Sequence, residues 1–414
     1  MNRHHLPHRA LIVVENNSVP FDRRVWREAQ TLHAAGWDVT VISPKAVQYS
    51  QGGTQIVGED ADFEVLDGIA IYRYHLDAAE GGPLGFAYEY LTALLQTTRI
   101  VLKVWRERGF DVLQVCNPPD FFFPLGWACR LSRKGFIFDH HDLVPESIMQ
   151  RWSGRKGVFL FWIARLAERL TMLTAHTVIA TNQSYREIAI ERGGMNSEKV
   201  FVVRNGPQLR KLRRGTADAS LRNGRRFLVG YLGIMGPQDG IELLLQAIRV
   251  VVMTLGRRDI QFLLVGDGPL RPWLIANVAA WNLTPYVTLP GLAVALEDWV
   301  RYLSSPDICV APEPPTSFNQ QSSITKIAEY MAMGQPIVAF DLKETRYTAH
   351  EAAYFVNPTD PAAFALAITR ILDDPEQRIR MADYGLARVQ ECLSWESQEQ
   401  YLLQAYETAL TGTD

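Results

Sequence analysis

Residues 310–340 read VAPEPPTSFNQQSSITKIAEYMAMGQPIVAF, and this stretch decides the fold. It grows out of an apolar run of strand length, Ile308 to Ala311. A loop rich in Pro, Ser, Asn and Gln follows. Ile324, Ile327, Ala328 and Met331 then recur at helical spacing. Ser322 or Ser323 is the expected N-cap, Gly334 the expected C′ residue, and Pro336 stops any continuation. Ile337 to Phe340 reads as a second buried strand. The order is therefore strand, loop, helix, strand, with the loop feeding a helix N-terminus that suits a phosphate. Lys326 and Glu329 stand i, i+3 on that helix, about 4.5 Å apart along its axis. Two readings are open. The two residues form a surface ion pair, or the cation meets a diphosphate and the carboxylate a ribose.

KIAEYMAMGQPIVAF resembles the donor-site signature of family 4 of the retaining glycosyltransferases. In that family a Glu opens the run and holds the donor ribose; the matching residue here is Glu329. Many members carry another Glu eight residues earlier, where this chain has Gln321. Ser322, Ser323, Ile324, Thr325 and Lys326 instead match a branch reading S-T-M-N-K-I-M-E-Y-M-A. The resemblance implies catalytic roles for Glu329 and Lys326, and donor contacts along residues 321–325.

Outward from this stretch the same alternation repeats. Phe227–Leu232 is a strand followed by Gly233-Ile234-Met235-Gly236-Pro237-Gln238-Asp239-Gly240, a glycine-rich turn whose N–H groups can cradle phosphate. The family's Arg and Lys in this turn are absent, with Ile234 and Asp239 in their places, so Lys326 and Arg204 are the candidate cations. Gln261–Val265 is a strand ending in Gly266-Asp267-Gly268-Pro269, similar to the family's V-G-D/E-G-P turn. Gly291 follows another strand, where the family's backbone meets the nucleotide base. Helices start at Pro361, Pro375 and near Ser394.

Towards the N-terminus, Ala10–Val14 is a strand and Asp22 caps a helix bearing Val25, Trp26, Ala29 and Leu32. Val39–Ile42 completes a βαβ unit that lacks GxGxxG, which argues against a dinucleotide-binding dehydrogenase. NNSVPFDRRVWREA resembles the branch's opening, which implies acceptor-side roles for Asn17, Arg23 and Arg24. Residues 46–85 read as a variable insertion or hairpin, and Phe86–Arg108 as a long helix. The strand Gly135–Asp139 runs into His140-His141-Asp142, where ligands sit in open α/β sheets. A metal site, a hydrogen-bonded corner and a sugar-contacting His all remain open on the residues alone. The family's H-D pair matches His141-Asp142, which makes His141 the catalytic candidate and leaves His140 and Asp142 on the acceptor side. Arg204-Asn205-Gly206-Pro207 resembles the P-N-G segment closing the family's first domain, which places Arg204 and Asn205 at the donor.

The 414-residue chain is long enough for two cores, and 47% hydrophobic with 21% charged residues is a globular composition. Its four scattered cysteines without CxxC read as reduced thiols, and the expected location is cytoplasmic. Net charge runs +1 over residues 1–205, +6 over 206–226 and −10 over 227–414. The expected fold is α/β: two Rossmann-like doubly wound domains facing a cleft (GT-B). Residues 1–207 form the acceptor domain, 208–225 a linker and 226–393 the donor domain. The last helix, 394–414, returns to the first domain. The resemblance implies a hexosyl- or N-acetylhexosaminyl-transferase using a nucleotide-diphosphate sugar, UDP rather than GDP, on a lipid-linked or glycan acceptor. No cofactor, metal or nucleic acid is expected. Arg99, Lys103 and Arg106 form a basic stripe, and Arg155, Lys156, Arg165 and Arg169 flank the apolar run Val158–Ile163. These motivate contact with an anionic membrane on its inner face; the alternative is that the run is core and the arginines ordinary surface. The rival functions are a nucleotide-sugar epimerase of the same architecture and a catalytically silent sugar-nucleotide binder.

Overall fold

A computed structural model describes residues 7–15, 17–45, 61–75, 82–152, 154–293 and 295–412. Most of the expected insertion, 46–60 and 76–81, lies outside the described residues. The chain divides into two compact units, Met1–Val203 with Glu399–Asp414, and Arg204–Gln398.

Among the described residues the first unit has eight strands: β1 (Arg9–Val13), β2 (Asp38–Pro44), β3 (Phe63–Leu66), β4 (Ile69–Tyr74), β5 (Val112–Cys116), β6 (Gly135–His140), β7 (Thr177–Ala180) and β8 (Val200–Val202). They lie in the order β3-β4-β2-β1-β5-β6-β7-β8. All pairings are parallel except β3 with β4, a hairpin turned by Asp67 and Gly68 at positive φ. The apolar runs read from the sequence form the central strands, which are buried on both faces as a parallel sheet requires. The helix Arg23–Ala34 begins where expected, with Asp22 accepting from the Arg24 and Val25 amides. The last helix, Trp395–Thr411, packs on this sheet: Tyr406 donates to Gln114 at 2.7 Å, and the Thr177 hydroxyl donates to the Ala405 carbonyl at 3.3 Å.

Among the described residues the second unit has six strands: β9 (Phe227–Leu232), β10 (Ile260–Val265), β11 (Val287–Gly291), β12 (Ile308–Ala311), β13 (Ile337–Phe340) and β14 (Ala353–Val356). The order is β11-β10-β9-β12-β13-β14, and every pairing is parallel. Alternate residues of β9 feed cores on opposite faces, Val229 and Tyr231 on one and Leu228 and Leu232 on the other. The chain steps outward from β9 to β11 and then restarts on the other side of β9 at β12. Loops leaving β9 and β12 therefore diverge at a topological switch point, where open α/β sheets bind ligands.

Residues 208–225 were expected to be a linker; the structure packs them on the second unit. Leu212 joins its core, Arg222 pairs with Asp307 at 2.7 Å, and the Gly215 amide donates to Ser304.

Candidate active site

The helix of the opening stretch runs Thr325–Ala332. Its N-cap is Ile324, not Ser322 or Ser323, and no side chain caps it. Ser322 instead donates to the Phe318 carbonyl at 3.0 Å, closing a turn one step earlier. The C-terminus is as read: Gly334 has φ +65°, its amide bonds the Met331 carbonyl, and the Gln335 amide bonds that of Tyr330, a Schellman closure.

This helix carries Lys326 into the switch point. Its ammonium lies 2.6 Å from Glu313, 3.1 Å from the Tyr231 hydroxyl and 3.8 Å from Asp239. The residue is 7% exposed, so the surface-pair reading of Lys326 with Glu329 does not hold. Burial alone would lower the Lys326 pKa, but Glu313, Tyr231 and Asp239 outweigh it and the amine stays charged. Asp239 is pushed up by burial, with Lys326 acting against that. Glu329 sits one turn on and is half-buried.

Glycine makes this crowding possible. A Cβ on Gly233 would stand 2.8 Å from the end of Lys326, and one on Gly266 would lie 1.9 Å from the Gly233 carbonyl. The Met235 amide bonds the Asp267 carbonyl, so the turns after β9 and β10 are zipped together. Asn319 fastens the loop after β12 to the same place, donating to the carbonyls of Gln238 and Pro314. Gly236 donates to Asp239, and the Gly266 amide bonds the Gly291 carbonyl, Gly291 having φ +93°. Gln321 donates to the Ser317 carbonyl at 3.2 Å. Arg204 lies 3.7 Å from Glu344 and over the Tyr347 ring at 4.3 Å, so its charge already faces a carboxylate. Asn205 is half-buried, and Thr325 is exposed.

In the first unit the residues after β1, β5 and β6 form a buried ion network. Arg24 donates to Asp139 at 2.9 Å and to the Val203 carbonyl at 2.8 Å, and pairs with Glu28 at 3.1 Å. Gln114 donates to Glu28 and Asp139. The His141 Nε2 is 2.7 Å from Asp139 and 2.9 Å from the Arg24 Nε. Those two contacts ask opposite roles of one nitrogen. With Nε2–H donating to Asp139, the Arg24 Nε keeps its ion pair with Glu28 at 3.1 Å. Burial lowers the His141 pKa, but Asp139 outweighs it and the net shift is upward. Burial pushes Glu28 up to about 8, whereas Arg24 and His141 hold Asp139 well below the usual carboxylate range against its own burial. Asn117 aligns the following loop, accepting from the amides of His141 and Asp142.

Two of the residues expected on the acceptor side, Arg24 and His140, are buried. Arg24 is 5% exposed and is held by Asp139, Glu28 and the Val203 carbonyl. His140 is fully buried, stacked on Phe138 and beside Glu168 at 3.3 Å. The reason is strand alternation: β6 sends Asp139 and His141 to one face and His140 to the other. Asn17 and Arg23 are exposed, and Asp142 is half-buried with its pKa raised by burial.

Glu28, Cys116, Asp139 and His141 each bring one atom within 4.8 Å of the others, the spacing of a metal site. Arg24 already supplies the counter-charge there, and burial raises the Cys116 thiol well above its ordinary range. The set fits an ion network better than a cation. Reading the sequence missed Glu313, Tyr231, Asn319, Glu28, Gln114 and Asn117. Only β-strand alternation, placing Gln114 and Cys116 on one face, could have signalled any of them.

Residues 22–206 match the model of the glycosyl transferase 4-like domain, and residues 226–374 that of glycosyl transferases group 1. Both units carry glycosyltransferase-family domains. Alpha-D-kanosaminyltransferase from Streptomyces kanamyceticus is 29% identical over 53% of this chain and 57% of its own length. The chain spans roughly three fifths of the curated relatives it matches first. Sucrose-phosphate synthase from Thermosynechococcus elongatus shares the fold, with a TM-score of 0.71, 20% identity, and 97% of this chain and 98% of that one covered. So does HepE from Anabaena, solved in complex with UDP and glucose, at TM-score 0.67, 14% identity, and 96% and 99% coverage. The fold is thus that of GT-B glycosyltransferases, two α/β units with parallel sheets.

Proposed function

We propose that this protein is a retaining, metal-independent glycosyltransferase. It moves a hexosyl or N-acetylhexosaminyl group from a UDP-sugar to a lipid-linked or glycan acceptor. The observation that carries the reading is the charged Lys326, buried at the switch point against Gly233 and beside the zipped glycine turns. Such a cation with backbone N–H groups can stabilise a departing diphosphate without a metal. Glu329 holds the ribose from the same helix, and Gln321 to Thr325 lead the chain into that helix beside the donor. Preference for UDP over GDP rests on the UDP held by the Anabaena structure of like fold.

In the transfer, the bond between the sugar C1 and the diphosphate oxygen breaks, and its electron pair leaves with the diphosphate. The acceptor oxygen bonds C1 on the same face, and its proton passes to the departing oxygen. His141, held through Nε2 by Asp139, is the residue of the first unit that we assign to the transfer step. The test is a panel of sugar nucleotides supplied with extracted lipids, reading the nucleotide released. Acceptor-dependent release of UDP is expected. Tight donor binding without release across the panel would favour a silent binder instead.

A further inference from the structure

The helix Gly154–Thr174 is inside out. Its buried residues are Gly157, Ala164, Ala167, Glu168, Thr171, Met172 and Thr174, all but Met172 small or polar. Several of its large apolar side chains point away from the protein: Phe159 is 67% exposed, Trp162 60% and Leu166 59%. The apolar run Val158–Ile163 is therefore not core, one of the two readings the sequence left open. Positions 159, 162, 163 and 166 are spaced i, i+3, i+4, i+7, which makes a single stripe along the helix.

The neighbouring helix, Phe123–Leu131, adds Trp127 and Leu131, 56% and 84% exposed. It is fastened to the end of the first, since Arg130 donates to the Thr174 and Ala175 carbonyls. A soluble surface scatters such residues singly; a stripe of this kind marks an interaction site. Four cations border it. Arg155, Lys156 and Arg169 are exposed, and Arg165 lies over the Phe161 and Trp162 rings at 5.7 and 5.5 Å. No acidic residue of this helix shares the exposed face, because its one carboxylate, Glu168, is buried against Arg192. No described helix is long and apolar enough to cross a membrane.

We propose that this helix is an interfacial wedge that lies flat in an anionic lipid leaflet. Phe159, Trp162 and Leu166 enter the acyl boundary, and Arg155, Lys156, Arg165 and Arg169 meet the headgroups. The charge pattern selects this occupant over a protein partner or a second copy. A ring of cations with no matching carboxylates on the same face repels its own image, and it complements a surface of phosphates. The inference does not depend on the transferase reading, because membrane binding is measured without sugar donor or acceptor.

The experiment is sedimentation of the full chain with phosphatidylglycerol-containing and pure phosphatidylcholine vesicles, at low and high salt. Wild type should pellet with the anionic vesicles and be at least tenfold weaker with neutral ones. Phe159→Ala/Trp162→Ala/Leu166→Ala should lose at least tenfold at either salt. Arg155→Glu/Lys156→Glu/Arg169→Glu should lose the preference for anionic vesicles. All six positions face solvent, so both variants should keep the wild-type melting temperature. Quenching of tryptophan fluorescence by bromine-labelled lipids, reduced in Trp162→Phe and further in Trp127→Phe/Trp162→Phe, reports insertion directly. Equal and negligible pelleting of wild type in all four conditions would overturn the proposal. So would unchanged pelleting of both variants, or a dimer on sizing that the triple alanine variant dissolves.

Discussion

Replacing Lys326 by Met keeps the stem and removes the charge. The structure then leaves Glu313, 2% exposed, without the ammonium that sits 2.6 Å away. Breaking a buried pair from one side costs about 3–5 kcal/mol, most of it from the stranded carboxylate. The single variant should therefore lose both stability and donor binding, and binding alone cannot assign the residue. Glu313→Gln in the same chain removes the stranded charge and leaves a neutral amide of nearly the same size. The double variant Lys326→Met/Glu313→Gln should recover most of the melting temperature. Its donor affinity should stay low, because a hydrogen bond from a charged group is worth about 1.5–3 kcal/mol, roughly tenfold to a hundredfold. The assays are thermal unfolding and calorimetric titration with UDP, combined as a double-mutant cycle. A double variant that binds UDP as wild type does would refute the phosphate role. A single variant as stable as wild type would refute the buried pair itself.

The other predictions address the first unit. His141→Ala should cut turnover far more than donor affinity, and Asp139→Asn should shift the pH profile of turnover to lower pH by releasing the upward hold on His141; this is checked by kcat and KM from pH 5.5 to 9. His140→Phe should alter stability and leave KM unchanged, since His140 lies on the other face of β6. Glu15, buried at the end of β1, has its pKa pushed up to about 8 by burial, against the Thr97 hydroxyl. Its contribution to stability is complete below about 4.5 and lost as pH rises to 8, so Glu15→Gln should stabilise more at pH 8.5 than at pH 6, by about 2–3 kcal/mol in chemical unfolding.

Both sheets were legible because their central strands are continuous apolar runs bounded by glycine or polar turns, as at Phe227–Leu232 and Ile337–Phe340. The helix of the opening stretch was legible at its end, where Gly334 supplies a positive φ. Its start was misread because Ser322 found a partner in Phe318 first. Lys326 was placed on the right element with the wrong neighbour. Its partner Glu313 lies thirteen residues away in a proline-rich loop, and no periodicity connects residues across such a loop. The choice between His140 and His141 was available from alternation along β6, yet the choice came from the resemblance. The helix Gly154–Thr174 shows the opposite case. Its apolar residues share a face by spacing, but spacing does not say which face meets the protein; the small residues Gly157, Ala164 and Ala167 on the other side carried that information.

The most direct test of the account supplies the protein with UDP-hexose labelled with carbon-13 at C1 and extracted lipids, in the presence of EDTA. The anomeric carbon is then followed by NMR. The account predicts that the label moves to the acceptor with the donor's anomeric configuration and that UDP appears in equal amount. Label that epimerises without acceptor, emerges inverted, or moves only when a divalent metal is restored would contradict it.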